Sequence, residues 1–366
     1  MFVMQQTAEP VRVGVIGLGR SGWNIHCDAF GRMPDLYKIA ALHDVLPDRL
    51  EESAVASGAK ARATLDGLLA DPEVDLVVVA SPNKFHFGHA MAALQAGKHV
   101  LCDKPFGTTV AEVDQMIAAA AKAGRVLQPF QQRRYEPDFR KLVEIAGSGL
   151  LGKIEFVRIC WHGFKRRWDW QTIPEMAAGE LYNNGPHPID HAMLIMGDSD
   201  ASPVTPKLWC ERRHCLYSGD AEDHVKVILT AAGKPTVEIE ISSTIAFGQD
   251  RWLVCGTAGG LRGTASALEW KWVDWSTMPD RPLDPRSTPD RSYNTEPLTW
   301  HHDRWAPEGA TDAGAGAAPA VQPVIDLYTD LHATLTRGRP QVITPQSVRR
   351  RVAILEQCAA MAPVIR

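Results

Sequence analysis

Val11-Arg12-Val13-Gly14-Val15-Ile16-Gly17-Leu18-Gly19-Arg20-Ser21-Gly22 is the stretch that decides the fold. An apolar run of strand length ends abruptly in three glycines at GxGxxG spacing, and Trp23 to Arg32 then follow a helical pattern. In a strand–turn–helix unit the first glycine permits the tight turn. The second lets the backbone approach a pyrophosphate, and the third lets the helix pack on the strand. The N–H groups that open the helix are then free to face phosphates. Gly17, Leu18, Gly19, Arg20, Ser21 and Gly22 are therefore the candidate cofactor turn. A second apolar run, Tyr37 to Leu42, closes on His43-Asp44. A carboxylate at that place can accept hydrogen bonds from adenosine ribose hydroxyls and repels a 2′-phosphate. Asp44 thus favours NAD over NADP, and Arg49 is the residue that pulls the other way.

Outward from this unit, Val74 to Ala80 is almost continuously apolar, as suits a strand buried on both faces of a parallel sheet. Phe85 to Ala96 reads as a helix stopped by Gly97, and His99 to Cys102 as the next strand. Thr109 and Glu112 have capping-box spacing, with Val113, Met116, Ile117 and Ala120 recurring at helical intervals up to Gly124. Val126 to Phe130 is the last strand of the series. Strict alternation of strand and helix predicts a doubly wound α/β domain over residues 10–131.

The pattern then changes. A helix from Pro137 to Gly147 precedes segments of period two: Ile154–Ile159, Lys207–Cys215, Val225–Leu229, Val237–Ile241, Trp252 with Val254, and Trp270 with Trp272. Such alternation predicts an antiparallel sheet with one solvated or interface face, in a second domain spanning residues 132–366. Met278 to Pro297 reads as a long ordered loop and residues 308–320 as a Gly- and Ala-rich mobile stretch. Helices of about Gln322–Thr336 and Pro345–Met361 close the chain and are free to pack back on the first domain.

The 366 residues are 45% hydrophobic and 22% charged with a formal charge of −4, the balance of a globular domain protein without a basic footprint for nucleic acid. Seven scattered cysteines without a CxxC pair argue against a disulfide framework and a structural zinc site, and fit free thiols in a reducing compartment. The N-terminus lacks a basic start and an apolar run, and no stretch approaches the roughly 20 apolar residues of a membrane span. The expected location is the cytoplasm, away from membranes.

Three further segments carry chemistry. Ser81-Pro82-Asn83-Lys84-Phe85-His86 follows the third strand and Cys102-Asp103-Lys104-Pro105-Phe106-Gly107 the fourth. Both sit at carboxyl ends of parallel strands, where open α/β sheets bind ligands. Ser81, Pro82, Asn83, His86, Asp103 and Lys104 are accordingly cofactor-site candidates. The third segment, Asn183-Asn184-Gly185-Pro186-His187-Pro188-Ile189-Asp190-His191, lies in the second domain.

Together with GLGRSG at 17–22 and Gln132-Arg133-Arg134-Tyr135, these motifs in this order resemble the glucose–fructose oxidoreductase and inositol dehydrogenase family (Gfo/Idh/MocA), over nearly the whole chain. The resemblance implies a Rossmann domain followed by an α/β domain with a large, mainly antiparallel open sheet. It further implies a homo-oligomer, dimer or tetramer, formed through that sheet. The family's Glu-Lys-Pro stands here as Asp103-Lys104-Pro105, which implies that Lys104 reaches and orients the reacting hydroxyl. A buried ammonium there should have a lowered pKa and can stabilise charge on the substrate oxygen.

The family's Asp-x-Gly-x-His-x-x-Asp stands as Asn183, Gly185, His187 and Asp190. His187 is then the general base. Asn183 cannot exchange a proton but can hold the substrate or the imidazole, so the proton work shifts to His187. His187, Asp190 and His191 also share a helical face, but a zinc site needs further ligands that nothing in the sequence supplies, and the reading is no metal.

Trp161, His162, Phe164, Arg166, Arg167, Trp168, Asp169 and Trp170 form a dense aromatic and charged run. Sugar rings pack apolar faces on aromatic planes and pair hydroxyls with Arg and Asp. Arg166, Trp168 and Trp170, with Arg134, are therefore substrate-contact candidates beside Lys104, Asn183 and His187; the alternative is sheet core or subunit interface. His301 and His302 near Trp300 and Trp305 form a second candidate wall. The function expected is NAD-dependent oxidation of a secondary ring hydroxyl of a sugar, glycoside or cyclic polyol, with pyranose C3 a candidate carbon. An NAD-dependent glycosidase working by transient oxidation and elimination, and a non-catalytic NAD-binding sugar sensor, are the competing readings.

Overall fold

The computed structural model describes residues 9–286, 288, 290–307 and 321–366; the Gly- and Ala-rich stretch 308–320 lies outside them. Six strands, β1 (Val11–Ile16), β2 (Tyr37–His43), β3 (Lys60–Ala61), β4 (Leu76–Val79), β5 (His99–Cys102) and β6 (Leu127–Pro129), form one sheet in the order β3-β2-β1-β4-β5-β6. Every neighbouring pair is parallel. The order reverses at β1 and β4, so a crevice opens beyond their carboxyl ends, at Gly17 and Ser81. Leu76, Val77, Val78 and Val79 have no exposed surface, which is why that strand reads as an unbroken apolar run. Helix Val110–Ala123 opens on the Thr109–Glu112 capping box and ends at Gly124 in the left-handed region.

Two features of this half differ from the expectation. The helix after the glycine turn begins as a widened π-helical turn, Gly22–Cys27, before continuing as Asp28–Gly31. Over six residues, apolar spacing does not separate one helical winding from another. The edge strand β3 has two exposed residues and hence no apolar pattern to betray it.

The second sheet has nine strands: β7 (Ile154–His162), β8 (Lys207–Arg213), β9 (His224–Thr230), β10 (Thr236–Ser242), β11 (Trp252–Gly256), β12 (Gly259–Gly263), β13 (Leu268–Trp272), β14 (His301–Trp305) and β15 (Val364–Ile365). Their order is β14-β13-β12-β11-β7-β10-β9-β8-β15. β10 runs parallel to β7 and β15 to β8; the other pairs are antiparallel. Val225, Val227 and Leu229 alternate with half-buried Lys226 and Ile228, because helices cover one face and leave the other open. On the covered face these valines pack with Ile189, Ala192 and Met193 of helix Pro186–Ile195 and with Ile354 and Leu355 of helix Pro345–Met361.

His301 and Trp305 form edge strand β14 instead of a pocket wall: His301 stacks on Trp272 at 5.3 Å across the β13–β14 pair. β12 escaped the periodic reading because it is mostly glycine; a Cβ on Gly259 would come within 2.2 Å of the Lys271 carbonyl oxygen.

The last helices join the two cores. Val324, Leu327, Tyr328 and Leu331 of helix Val321–Arg337 pack into the core of the first sheet. Helix Pro345–Met361 contributes Val348 and Val352 to that core and Ile354, Leu355 and Cys358 to the other. Among the described residues no helix is long and apolar enough to cross a membrane.

Candidate active site

The glycine turn is built as the spacing requires. Gly17 has φ +87°, and a Cβ there would lie 2.7 Å from the Ser81 nitrogen and 2.8 Å from the Ala80 oxygen. A Cβ on Gly22 would lie 1.8 Å from the Gly17 oxygen, so only glycine lets the helix start against the turn. Above Gly19 the nearest atom to an added Cβ is Arg49 Nη1 at 3.9 Å. Two glycines therefore serve the chain's own packing and the middle one leaves open space, which fits a pyrophosphate group. Buried Asp44 braces the turn: its Oδ2 accepts from Leu18 N–H at 2.6 Å and its Oδ1 from Leu46 N–H at 2.9 Å. Arg49 Nη1 stands 3.6 Å from Asp44 Oδ2, and Arg20 is exposed on the turn.

Asp103 locks the Lys104 loop to that turn. Its carboxylate accepts from the Ser21 hydroxyl and, at 2.7 Å, from Lys104 N–H, and it faces His26 Nε2 at 3.6 Å. Burial, the largest influence, works to raise the Asp103 pKa. His26, Lys104 and His86 outweigh it and hold the carboxyl well below its ordinary range. The Lys104–Pro105 peptide is cis. Buried His86 ties the two loops together, its ring nitrogens 2.8 Å from the Pro105 oxygen and 2.7 Å from the Ser81 oxygen. The Ser81 hydroxyl meets His89 Nδ1 at 2.9 Å, and Pro82 leads into the turn Asn83–Phe85.

Asn83 is tied to the other half of the molecule through its amide NH₂. Its Nδ2 donates to the Ala177 oxygen at 2.8 Å and to Asn183 Oδ1 at 3.0 Å, so the side chain clasps the second half of the molecule. Asn183 is engaged within the protein as well: its Nδ2 donates to the Gln171 oxygen at 3.1 Å and its Oδ1 accepts from Asn83, which fixes the amide and leaves one N–H and one lone pair. Its backbone contributes too: Lys104 Nζ donates to the Asn183 carbonyl oxygen at 2.6 Å. Burial lowers the Lys104 pKa, with Arg133 and Arg20 adding to the effect against Asp103.

His187 sits in the first turn of helix Pro186–Ile195, where the positive helix end disfavours a charged ring. It is buried, stacks on Trp161 at 5.7 Å and 25°, and faces Gln131 Oε1 with Nδ1 at 3.1 Å. Burial above all, then Arg133, Lys104, His191 and Arg251, push its pKa well below the ordinary histidine value. Arg133 and Arg251 lie 4.6 and 5.1 Å from the Trp161 ring. Gln131 and Arg133 were not singled out as site residues from the sequence. The signal available was position, since both follow β6 at the carboxyl edge of the parallel sheet.

Other candidates lie elsewhere or are already spent. Arg134 forks Asp190 through Nε and Nη2, both at 2.7 Å, and reaches the Ser347 hydroxyl at 3.2 Å. Arg351 donates to the same carboxylate at 2.7 Å, so the substrate contact expected of Arg134 is replaced by a buried ion cluster. That cluster lowers the Asp190 pKa to about 2 against the opposing pull of burial. His191 stacks on Phe139 at 4.0 Å with Nε2 3.1 Å from the Arg133 oxygen, so it and Asp190 are engaged separately from His187. Of the Trp-rich run, the residue beside His187 is Trp161. Trp168 is 78% exposed, Arg166 is exposed, and Trp170 is half-buried at the start of the turn Trp170–Thr172.

Residues 11–131 match the family model described as the oxidoreductase family with an NAD-binding Rossmann fold (GFO/IDH/MocA), and residues 139–262 match the C-terminal domain of the same family. The chain is 39% identical over 255 residues to the myo-inositol 2-dehydrogenase of Thermotoga maritima, covering 68% of this chain and 74% of that one. It is 28% identical over 213 residues to the NADP-linked scyllo-inositol 2-dehydrogenase IolW of Bacillus subtilis, covering 57% and 58%. Its fold is that of the WlbA dehydrogenase from Bordetella pertussis, solved with NADH and UDP-GlcNAcA, with a TM-score of 0.71, 19% identity, and coverage of 96% and 97%.

Proposed function

The chain belongs to the GFO/IDH/MocA family of oxidoreductases, and we propose that it is a dehydrogenase acting on a secondary ring hydroxyl of a sugar, glycoside or cyclic polyol, with NAD preferred to NADP. One observation carries the reading: the adjacent residues Asp103 and Lys104 span from the glycine turn, through Ser21, to the Asn183 carbonyl in the His187 segment. A hydroxyl-orienting ammonium and a neutral imidazole are thereby held beside the cofactor crevice.

Nicotinamide, when bound, supplies the hydride acceptor. Lys104 Nζ spends one of its three donors on Asn183 and keeps the others for the reacting oxygen, where it stabilises developing negative charge. His187, kept neutral by burial and by surrounding cations, takes the hydroxyl proton on its open ring nitrogen. The buried Asp44 carboxylate at the end of β2 favours ribose hydroxyls over a 2′-phosphate, which supports NAD. The inositol dehydrogenases among the relatives support a cyclic polyol or a sugar as the substrate class. The open face of the nine-stranded sheet, with Trp209 47% exposed on β8, is the surface we assign to self-association.

The test is to follow reduced nicotinamide with NAD or NADP against a panel of inositols, pyranoses and pyranosides. Turnover by the unaltered protein should fall about 10²–10⁴-fold in Lys104→Met and in His187→Ala, with nucleotide affinity kept within severalfold. Full turnover in both variants would show that these residues do not carry the chemistry.

A further inference from the structure

We infer that Gln131 is the positioning residue of proton transfer: its side-chain amide holds His187 in the tautomer with hydrogen on Nδ1, and Nε2 is the proton-accepting atom. This rests on the reading of His187 as the proton acceptor; the tautomer itself does not. Gln131 is 3% exposed. Its Nε2 donates to the Pro186 carbonyl oxygen at 3.1 Å, and its Oε1 lies 3.1 Å from His187 Nδ1. A carbonyl oxygen only accepts, so the NH₂ end of the amide must face Pro186 and the oxygen must face the ring. That oxygen only accepts in turn, so Nδ1 carries the hydrogen and, in a neutral imidazole, Nε2 is bare. Among the described residues His187 Nε2 has no hydrogen-bond partner, and it is not a fully enclosed atom.

The partner's lack of charge matters as much as its direction. Lys104, Arg133 and Arg251 bring positive charge to the ring. The nearby carboxylates are committed: Glu136 to Arg133 and Arg251, Asp138 to Arg251, and Asp190 to Arg134 and Arg351. An amide at 131 orients the ring without stabilising an imidazolium, which a carboxylate in the same place would do.

The experiment is nitrogen NMR of full-length protein labelled at histidine, with the His187 signals identified by their loss in His187→Gln. The unaltered protein should show a protonated Nδ1 and a bare Nε2. Gln131→Leu should lose that preference, and Gln131→Glu should turn His187 into an imidazolium that titrates at higher pH. Hydrogen on Nε2 in the unaltered protein, or an unchanged tautomer in Gln131→Leu, would overturn the inference, and the first does not depend on Gln131→Leu folding. Turnover separates the two readings. A drop in kcat for Gln131→Leu with KM changed little supports the positioning role. A correct tautomer with full turnover in His187→Ala would sink the base assignment and leave the tautomer standing.

Discussion

Asp190→Asn probes the link between the His187 helix and the C-terminal helix. Asp190 is 1% exposed, lies one turn after His187, and receives three charged hydrogen bonds, two from Arg134 and one from Arg351, each at 2.7 Å. Its pKa falls from 3.8 to about 2. At about 1.4 kcal/mol per unit this linkage is worth roughly 2 kcal/mol above the unfolded-state pKa. Removing one partner of a buried ion pair costs about 3–5 kcal/mol, because the stranded charge remains buried. Here Arg351 keeps Asp198 and Arg134 keeps Ser347, which puts the loss at the lower end, about 3 kcal/mol near neutral pH.

For a chain of 366 residues the unfolding entropy makes that a fall in Tm of roughly 4 °C. The pH dependence is the sharper signature. A carboxylate with a depressed folded pKa stabilises fully above its unfolded pKa, and the effect is lost as pH falls through the folded value. The gap between the unaltered protein and Asp190→Asn should therefore be constant above about pH 5 and narrow from about pH 4 towards pH 2. Calorimetry or urea unfolding over that range is the assay. A gap under about 1 kcal/mol at neutral pH, or one that does not narrow with acid, would refute the reasoning.

Gly22→Ala and Gly19→Ala should separate folding from binding. The first forces a Cβ to within 1.8 Å of the Gly17 oxygen and should cost both stability and NADH binding. The second meets nothing closer than 3.9 Å and should leave thermal stability within about 0.5 kcal/mol while weakening NADH binding, read by nicotinamide fluorescence. With His187 held well below its ordinary pKa, kcat/KM should show no inflection from His187 between about pH 6 and 8; a titration there that vanishes in His187→Gln would contradict the neutral ring. Asp44→Ser, which keeps Arg49 beside the turn, should shift the Kd ratio towards NADP by about tenfold or more. An unchanged ratio in competition binding would remove Asp44 from cofactor choice.

Much of the site's first half was legible because its reasons are local. Gly17 and Gly22 are required by one turn, Gly19 keeps the space above it open, and the strand from Leu76 to Val79 is apolar because both its faces are covered. The Trp-rich run shows where local reading slipped. Extending β7 to His162 puts Trp161 in phase with buried Val157 and Ile159, hence on the covered face beside His187, whereas Trp168 lies past the strand's end in solvent. Strand parity would have chosen between the two tryptophans.

The sequence by itself determined most of the element types and the glycine turn, because periodicity, capping and turn chemistry act over a few residues, while Lys104 and His187 stood out only through the resemblance to the family's motifs. Only the tertiary structure decided the partners. Asn83 meets Asn183 across 100 residues of chain, Gln131 meets His187 and Arg134 meets Asp190 across 56, and Arg351 meets Asp190 across 161. An Asn, Gln or Arg can serve a ligand or the protein equally well by its chemistry. Which one it serves depends on what the packed sheets and the last helix bring within hydrogen-bond distance, and no local pattern carries that information.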